Sequence, residues 1–199
     1  SLLILLFNRP LIIFGMGGYS SFPTCVAAKL IGVPFIIYEN NLFMGKANKY
    51  LSKYAKKIFT SSKELIGIPD EFKNKNCVIG NIIRQEILDF KVTHNFEKNK
   101  KLKILVLGGS QAAKVFAEEL PKIFKQCIDD KISLEIYQQC LPEQEKHLTS
   151  FYNNLNINCE IFTFSDNILN YFSKTNLVIT RSGSSILAEL VNVKIPFIS

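Results

Sequence analysis

Apolar and polar positions alternate along this chain at the scale of whole elements rather than single residues. Short apolar runs over residues 11–16, 35–38, 57–60, 77–79, 102–107, 132–138, 158–163, 176–180 and 195–198 read as strands. Between them, stretches with helical spacing cover 22–31, 45–55, 112–127, 142–153, 166–173 and 184–192. Pro23 belongs in the first turn of its helix, Gly32 lies just past that helix's end, and Pro121 should interrupt the helix that holds it. Residues 104–107 (ILVL) are apolar with no polar alternation, as a strand buried on both faces requires. Repeated βα units imply parallel sheets joined by right-handed crossovers. Residues 91–101 (KVTHNFEKNKK) lose both periods and read as a linker. The expected organisation is two Rossmann-like α/β domains, 1–90 and 102–199, facing a cleft. The N-terminal SLLILLF reads as an amphipathic or buried helix.

The strand-to-helix turns carry the candidate chemistry. Gly108-Gly109-Ser110-Gln111 follows the most apolar strand and opens a helix, so backbone N–H groups and a hydroxyl stand where an anion is favoured. It lacks the lysine and second glycine of a P-loop, which argues against ATP or GTP hydrolysis. Arg181-Ser182-Gly183-Ser184-Ser185 repeats the design, with Glu189 in the first or second turn of the next helix. That carboxylate either offsets the helix dipole or accepts ribose hydroxyls. Arg181 is a phosphate partner or a surface ion. Gly15-Met16-Gly17-Gly18-Tyr19-Ser20-Ser21 partly imitates a dinucleotide fingerprint, and Glu39 stands about where its ribose acid would be. Tight-turn geometry explains the same glycines. Arg84 and the pair Asn40-Asn41 follow strands in the same way, and either bind ligand or stabilise turns. His94 and His147 have no nucleophile or metal partner nearby in sequence, and no zinc spacing or Ser–His–Asp set is present.

Composition narrows the setting. The 199 residues are 47% hydrophobic and 21% charged, enough for packed cores. The net charge of +7 is lopsided: residues 1–101 hold 15 Lys/Arg against 7 Asp/Glu, residues 102–199 hold 9 against 10. The basic half reads either as solvated lysines or as a surface for anionic lipid or diphosphate. A nucleic-acid partner is not expected, since no aromatic-interleaved basic stripe appears. The five cysteines form no CxxC pair, and Cys25, Cys127 and Cys159 sit in apolar patterns, where buried free thiols in a reducing cytosol fit best. The longest apolar runs fall far short of the ~20 residues that span a bilayer. The start at Ser1 and the stop after a strand at Ile195-Pro196-Phe197-Ile198-Ser199 suggest a fragment.

Taken together, GMGGYSS, YENN-LFMGKANKYLSKYAKKI, GNIIR, VLGGSQAA and FSDNILNYFSKTNLVITRSGSSILAELVNVKIP resemble one family in order and spacing. It is the bacterial UDP-N-acetylglucosamine transferases that form lipid II in peptidoglycan synthesis. The resemblance implies the GT-B fold, here with both domains incomplete. It implies inverting transfer of N-acetylglucosamine from UDP-N-acetylglucosamine to undecaprenyl-diphosphate-N-acetylmuramoyl-pentapeptide (lipid I), at the cytoplasmic face of the inner membrane as a peripheral protein, with no cofactor and no obligatory metal. By resemblance, Gly109, Ser110 and Gln111 would hold the UDP diphosphate and Glu189 the ribose. Ser165 and Ser184, Ser185, Ile186, Leu187 and Ala188 would line the uridine, while Asn41 and Arg84 would reach the donor from the other domain. Gly15, Gly17, Gly18 and Tyr19 would face the acceptor diphosphate.

Several positions depart from the family pattern. Tyr38-Glu39-Asn40-Asn41 replaces His-Glu-Gln-Asn, Ala112 stands where glycine is common, and Ile186 replaces a threonine of the uridine loop. The family's first glycine-rich loop, with a histidine that is a candidate base, would precede Ser1, and a further donor segment would follow Ser199. An isolated piece of this kind is therefore expected to bind UDP weakly and to be inactive. The competing readings are another GT-B enzyme (a sugar-nucleotide epimerase or a lipid glycosyltransferase), an inactive remnant or interaction module, and a nicotinamide dehydrogenase.

Overall fold

The computed structural model describes residues 1–91 and 101–199, the side chains of 109–113 excepted. It divides into two compact units, Ser1–Ile82 and Ile83–Ser199.

In the first unit, α1 (Leu2–Phe7) precedes β1 (Ile13–Gly15), α2 (Gly18–Leu30), β2 (Phe35–Glu39), α3 (Lys46–Leu51), β3 (Lys57–Thr60), a 3-10 turn at Asp70–Lys75 and β4 (Asn76–Val78). The four strands lie in the order β1-β2-β3-β4, every pair parallel. Phe35, Ile37 and Ile58 share one buried cluster with Cys25, Ala28 and Leu51 from α2 and α3. Helix α2 packs so close to β1 that a Cβ on Gly15 would lie 2.7 Å from Cys25 Sγ. Glycine at that strand end is a packing requirement.

The second unit runs α4 (Gln85–Asp89), β5 (Leu102–Leu107), α5 (Gly109–Asp129), β6 (Leu134–Gln139), α6 (Glu145–Asn154), β7 (Asn158–Phe162), α7 (Ile168–Lys174), β8 (Leu177–Thr180), α8 (Ser184–Val193) and β9 (Phe197–Ile198). Its sheet is all parallel with the order β7-β6-β5-β8-β9. β5 is central, and its alternate side chains enter two separate cores. Ile104 and Val106 pack with Ala117, Leu120, Phe124, Leu148 and Tyr152 on the α5–α6 face. Leu105 packs with Ile87, Phe172, Val178 and Leu190 on the α4–α7–α8 face. Two covered faces are what the unalternated apolar run demanded.

Some expectations are corrected. Helix α2 starts at Gly18, so Pro23 sits inside it and not in its first turn. Helix α5 runs through Pro121 unbroken. Proline removes one N–H bond to the preceding turn, yet Ala117, Leu120, Pro121 and Phe124 are all buried, and their packing holds the helix together. Residues 83–90, expected in the first domain, belong to the second unit, because α4 lays the fully buried Ile87 into its core and packs on α8. A helix of five residues was too short to show a period. The expected linker and His94 lie, apart from Lys91 and Lys101, outside the described residues.

Two phenol–carboxylate bonds involve side chains of β6, β7 and α7. Tyr137 Oη donates to Glu135 at 2.5 Å and Tyr171 Oη to Glu160 at 2.7 Å. Burial first, and then these bonds, push both phenols up, Tyr171 to about 12. A phenol raised above its unfolded value of about 10 stabilises the fold fully below that pH. The contribution then fades as pH climbs through about 12. Urea midpoints should therefore fall between pH 10 and 12 less steeply in Tyr171→Phe than in the parent, and identical slopes would refute this.

Ile87→Ala should destabilise the second unit by about 2–5 kcal/mol. Hydrogen exchange should then speed up in Leu102–Leu107 and not in Phe35–Glu39. Equal acceleration in both strands would contradict the assignment of α4.

Candidate functional site

The order of the second sheet places its switch point between β5 and β8, whose crossovers leave in opposite directions. Ligands of open α/β sheets sit outside the carboxyl ends of the strands at such a point. An open cavity of about 1050 Å³ lies there, lined by Leu107 and Gly108 after β5, Gln139 at the end of β6, and Phe162, Phe164, Ser165 and Asp166 after β7. Thr180 at the end of β8 and Arg181, Ser182 and Gly183 after it also line the cavity, with Arg84, Phe116, Ile168, Ile186, Glu189 and Ser199. Thr180 Oγ1 donates to the Leu107 carbonyl at 3.1 Å, which ties the two strand ends together beneath the opening.

The local chemistry is anion-seeking backbone beside paired charge. Helix α8 begins at Ser184 with no acidic residue in its first turn, and Gly183 at its N-cap has no side chain to cover the first N–H groups. Helix α5, 21 residues long, begins at Gly109 directly after the cavity-lining Gly108. Two helix N-termini thus open at one edge, each equivalent to roughly half a positive charge. Glu189 lies on the second turn of α8 and is bound by Arg84, Nε to Oε1 at 3.1 Å and Nη2 to Oε2 at 3.3 Å. That hydrogen bond is the chief cause holding Arg84 above its ordinary pKa. Ser165 Oγ accepts from the Asn167 N–H at 3.2 Å, and Asn167 caps α7 by accepting from Asn170, so the loop after β7 is locally braced.

The glycine-rich turn of the first unit is built differently. Gly17 has φ +78° and ψ −175°, and Gly18 has φ +74°. Side chains strain both conformations, and a Cβ on Gly17 would also meet Asn48 Nδ2 at 3.1 Å. Tyr19 stands 94% exposed on the first turn of α2. Glu39, at the end of the next strand, is 4% exposed. Its Oε1 accepts from the backbone and side-chain amides of Asn41, at 3.1 and 3.0 Å. Its Oε2 accepts from Gly45 N and Asn48 Nδ2, both at 2.9 Å. Four donors hold this carboxylate inside its own loop, a loop-building role rather than that of a ribose acid held ready in a dinucleotide site.

Of the donor-site residues expected from sequence, Arg84, Ser165, Ile186 and Glu189 line one cavity, and Gly109, Ser184 and Ser185 open its two helices. The side chains of Ser110 and Gln111 lie outside the described residues. Leu187 and Ala188 sit further along α8, with Leu187 N bonded to the Gly183 carbonyl. Asn41 is in the first unit, its amide on Glu39. Arg84, expected to reach in from the other domain, belongs to the second unit. Phe164 and Asp166 were missed, although their place just after a strand could have flagged them. Phe116 comes from the interior of α5, and no local signal marks it.

Among the described residues, no group of three or more His, Cys, Asp and Glu side chains is placed to hold a metal ion.

Two all-parallel α/β units, one with a strand-end cavity at its switch point, are the components of the GT-B class of nucleotide-sugar proteins. Residues 103–199 match the glycosyltransferase family 28 C-terminal domain and residues 2–60 the glycosyltransferase family 28 N-terminal domain. The chain belongs to glycosyltransferase family 28. It is 37% identical, over 199 residues, to the UDP-N-acetylglucosamine--N-acetylmuramyl-(pentapeptide) pyrophosphoryl-undecaprenol N-acetylglucosamine transferase of Rickettsia bellii, a match taking in 98% of this chain and 56% of that protein. Among solved structures it is similar to Acinetobacter baumannii MurG, with TM-score 0.67, 26% identity, 95% of this chain and 52% of that one. In fold alone it is similar to UDP-GlcNAc 2-epimerase from Neisseria meningitidis bound to UDP-GlcNAc, with TM-score 0.66, 15% identity, and coverage of 99% and 61%. The chain spans about half the length of the curated relatives it matches.

Proposed function

We propose that the cavity of the second unit is the UDP-N-acetylglucosamine site of an inverting N-acetylglucosaminyltransferase whose acceptor is undecaprenyl-diphosphate-N-acetylmuramoyl-pentapeptide. The observation that carries this reading is the convergence, at one switch point, of two helix N-termini with a pocket acid, Glu189. A diphosphate suits the helix ends, a ribose suits the carboxylate, and the exposed ring of Phe164 at the rim suits a pyrimidine face. The relatedness to the Rickettsia bellii transferase supports the choice of sugar and acceptor.

In the reaction, the 4-hydroxyl of the N-acetylmuramoyl residue attacks C1 of the donor sugar from the face opposite UDP. The C1–O bond breaks, its electron pair leaves with UDP, and the hydroxyl proton passes to a base. Charge grows on the diphosphate as the bond breaks. Backbone N–H groups aimed at that position stabilise it more in the transition state than in the ground state. The Gly17-Gly18 turn at the start of α2, with backbone that can approach closely, is the corresponding place for the acceptor diphosphate in the first unit.

Calorimetry should show UDP binding at least about tenfold more tightly than uridine, since hydrogen bonds to a charged group contribute about 1.5–3 kcal/mol each. NAD should give no heat. Equal affinity for UDP and uridine, or binding of NAD, would sink the assignment.

We also infer peripheral attachment to an anionic membrane, which the family resemblance would make the cytoplasmic face of the bacterial inner membrane. Helix α1 exposes Leu3, Ile4, Leu6 and Phe7 while Leu5 alone is buried. It is tied to α2 by Ser1–Thr24 and by Arg9 donating to the Ile31 carbonyl. In the same unit Lys29 Nζ lies 3.3 Å from the centre of the Tyr54 ring, with Lys53 beside it. No helix among the described residues is long and apolar enough to cross a membrane. Each basic residue near an anionic surface adds about 1 kcal/mol. The chain should therefore sediment with phosphatidylglycerol vesicles and not with phosphatidylcholine alone, Phe7→Asp should weaken the association, and salt should release it. Indifference to lipid charge would count against this surface.

A further inference from the structure

A second cavity, of about 630 Å³, lies between α5 and α6 and shares no lining residue with the strand-end cavity. Residue size accounts for it. Ala117 and Pro121 stand one turn apart on α5, and their short side chains leave the space between the two helices unfilled. With the fully buried Leu148 and the half-buried Phe151 of α6 they make an apolar floor. Along α6 the lining residues are Gln144 at the N-cap, His147, Leu148 and Phe151. That is the i, i+3, i+4, i+7 spacing of one helix face, so the groove runs for two turns, about 10 Å. Its walls are acidic and exposed: Glu118 and Glu119 on α5, and Glu143 in the 3-10 turn Pro142–Gln144 before α6. Lys122 is the groove's single lysine, and Glu119 already holds it at 2.9 and 3.0 Å. Among the described residues, Glu118 and Glu143 have no ion-pair partner.

We propose that this groove docks a basic amphipathic helix of a partner protein. Apolar side chains of that helix, at i, i+3 or i+4 and i+7, would lie on Ala117, Pro121 and Phe151, and its lysines or arginines would meet Glu118 and Glu143. Charge complementarity selects this occupant: two unpaired carboxylates flank the floor, and they repel an anionic lipid surface or an acidic peptide. Exposed ion pairs are weak and screened by salt. The floor therefore supplies most of the affinity, and the carboxylates set orientation and choice of partner. The inference is independent of the nucleotide reading, because no residue of the strand-end cavity takes part.

The test is fluorescence anisotropy of the 199-residue chain with a labelled helical peptide of about 18 residues, leucine on one face and lysine on the other. A peptide with the same lysines, and serine in place of leucine, is the charge control. At ~0.15 M salt the amphipathic peptide should bind at least about tenfold more tightly than the control. Reversing both walls together, Glu118→Lys with Glu143→Lys, should weaken its binding by about tenfold. Ala117→Leu, which fills the floor, should weaken it as well. If Ala117→Leu does not fold, the charge-reversed chain decides alone, since both of its changes are at exposed positions. Equal binding of the two peptides, failure of the parent to bind either, or binding unmoved by charge reversal would each overturn the proposal. So would sedimentation equilibrium that shows the chain associating with itself and the charge-reversed chain staying monomeric, because the occupant would then be a second copy.

Discussion

The second unit depends on the burial of β5 on both faces. Ile104 and Val106 on one side and Leu105 on the other must leave water together, and only helices on both faces achieve that in a parallel sheet. Right-handed crossovers then bring each following helix back with its N-terminus at the carboxyl edge of the strands. Because chain order runs outward from β5 through β6 to β7, and then returns through β8 to β9, α5 and α8 leave that edge in opposite directions. The gap they leave is the cavity. The bond from Thr180 to the Leu107 carbonyl fixes its floor. Packing energy alone thus produces an anion-seeking crevice before any side chain is chosen for binding.

Two carboxylates follow strands of similar design and serve different ends. Glu39 is buried, and four amide donors absorb its charge, so it builds the loop from Asn40 to Asn48. Glu189 is more open and meets a single arginine, which leaves acceptor capacity facing a cavity. Burial and the number of local donors separate the two. The same contrast separates the glycines: Gly15 is required by contact with Cys25, whereas Gly17 and Gly18 are required by their backbone angles.

Much of the fold was legible because its signals are local. The strands Lys57–Thr60 and Leu102–Leu107 fall where the apolar runs put them, and the helix after Gly183 begins at Ser184 as its small-residue turn implied. Errors arose where tertiary packing outweighed a local rule. Pro121 does not break α5, since its buried neighbours hold the helix on either side. Helix α4 was invisible because five residues cannot display a period. Its membership in the second unit rests on Ile87, with Ile83 and Phe90, packing into a core whose strand residues begin at Leu105.

For the site, the sequence by itself marked the turns that could bind an anion and offered two candidate ribose acids, Glu39 and Glu189. Glycines, small hydroxyl residues and strand-to-helix changes are read directly from residue order. Only the tertiary structure decided that Arg84 stands beside Glu189, that Phe116 and Phe164 reach the same cavity, and that Glu39 is consumed by its own loop. Those facts depend on contacts between residues far apart in the chain, and their energies come from burial and charge pairing that no local pattern records.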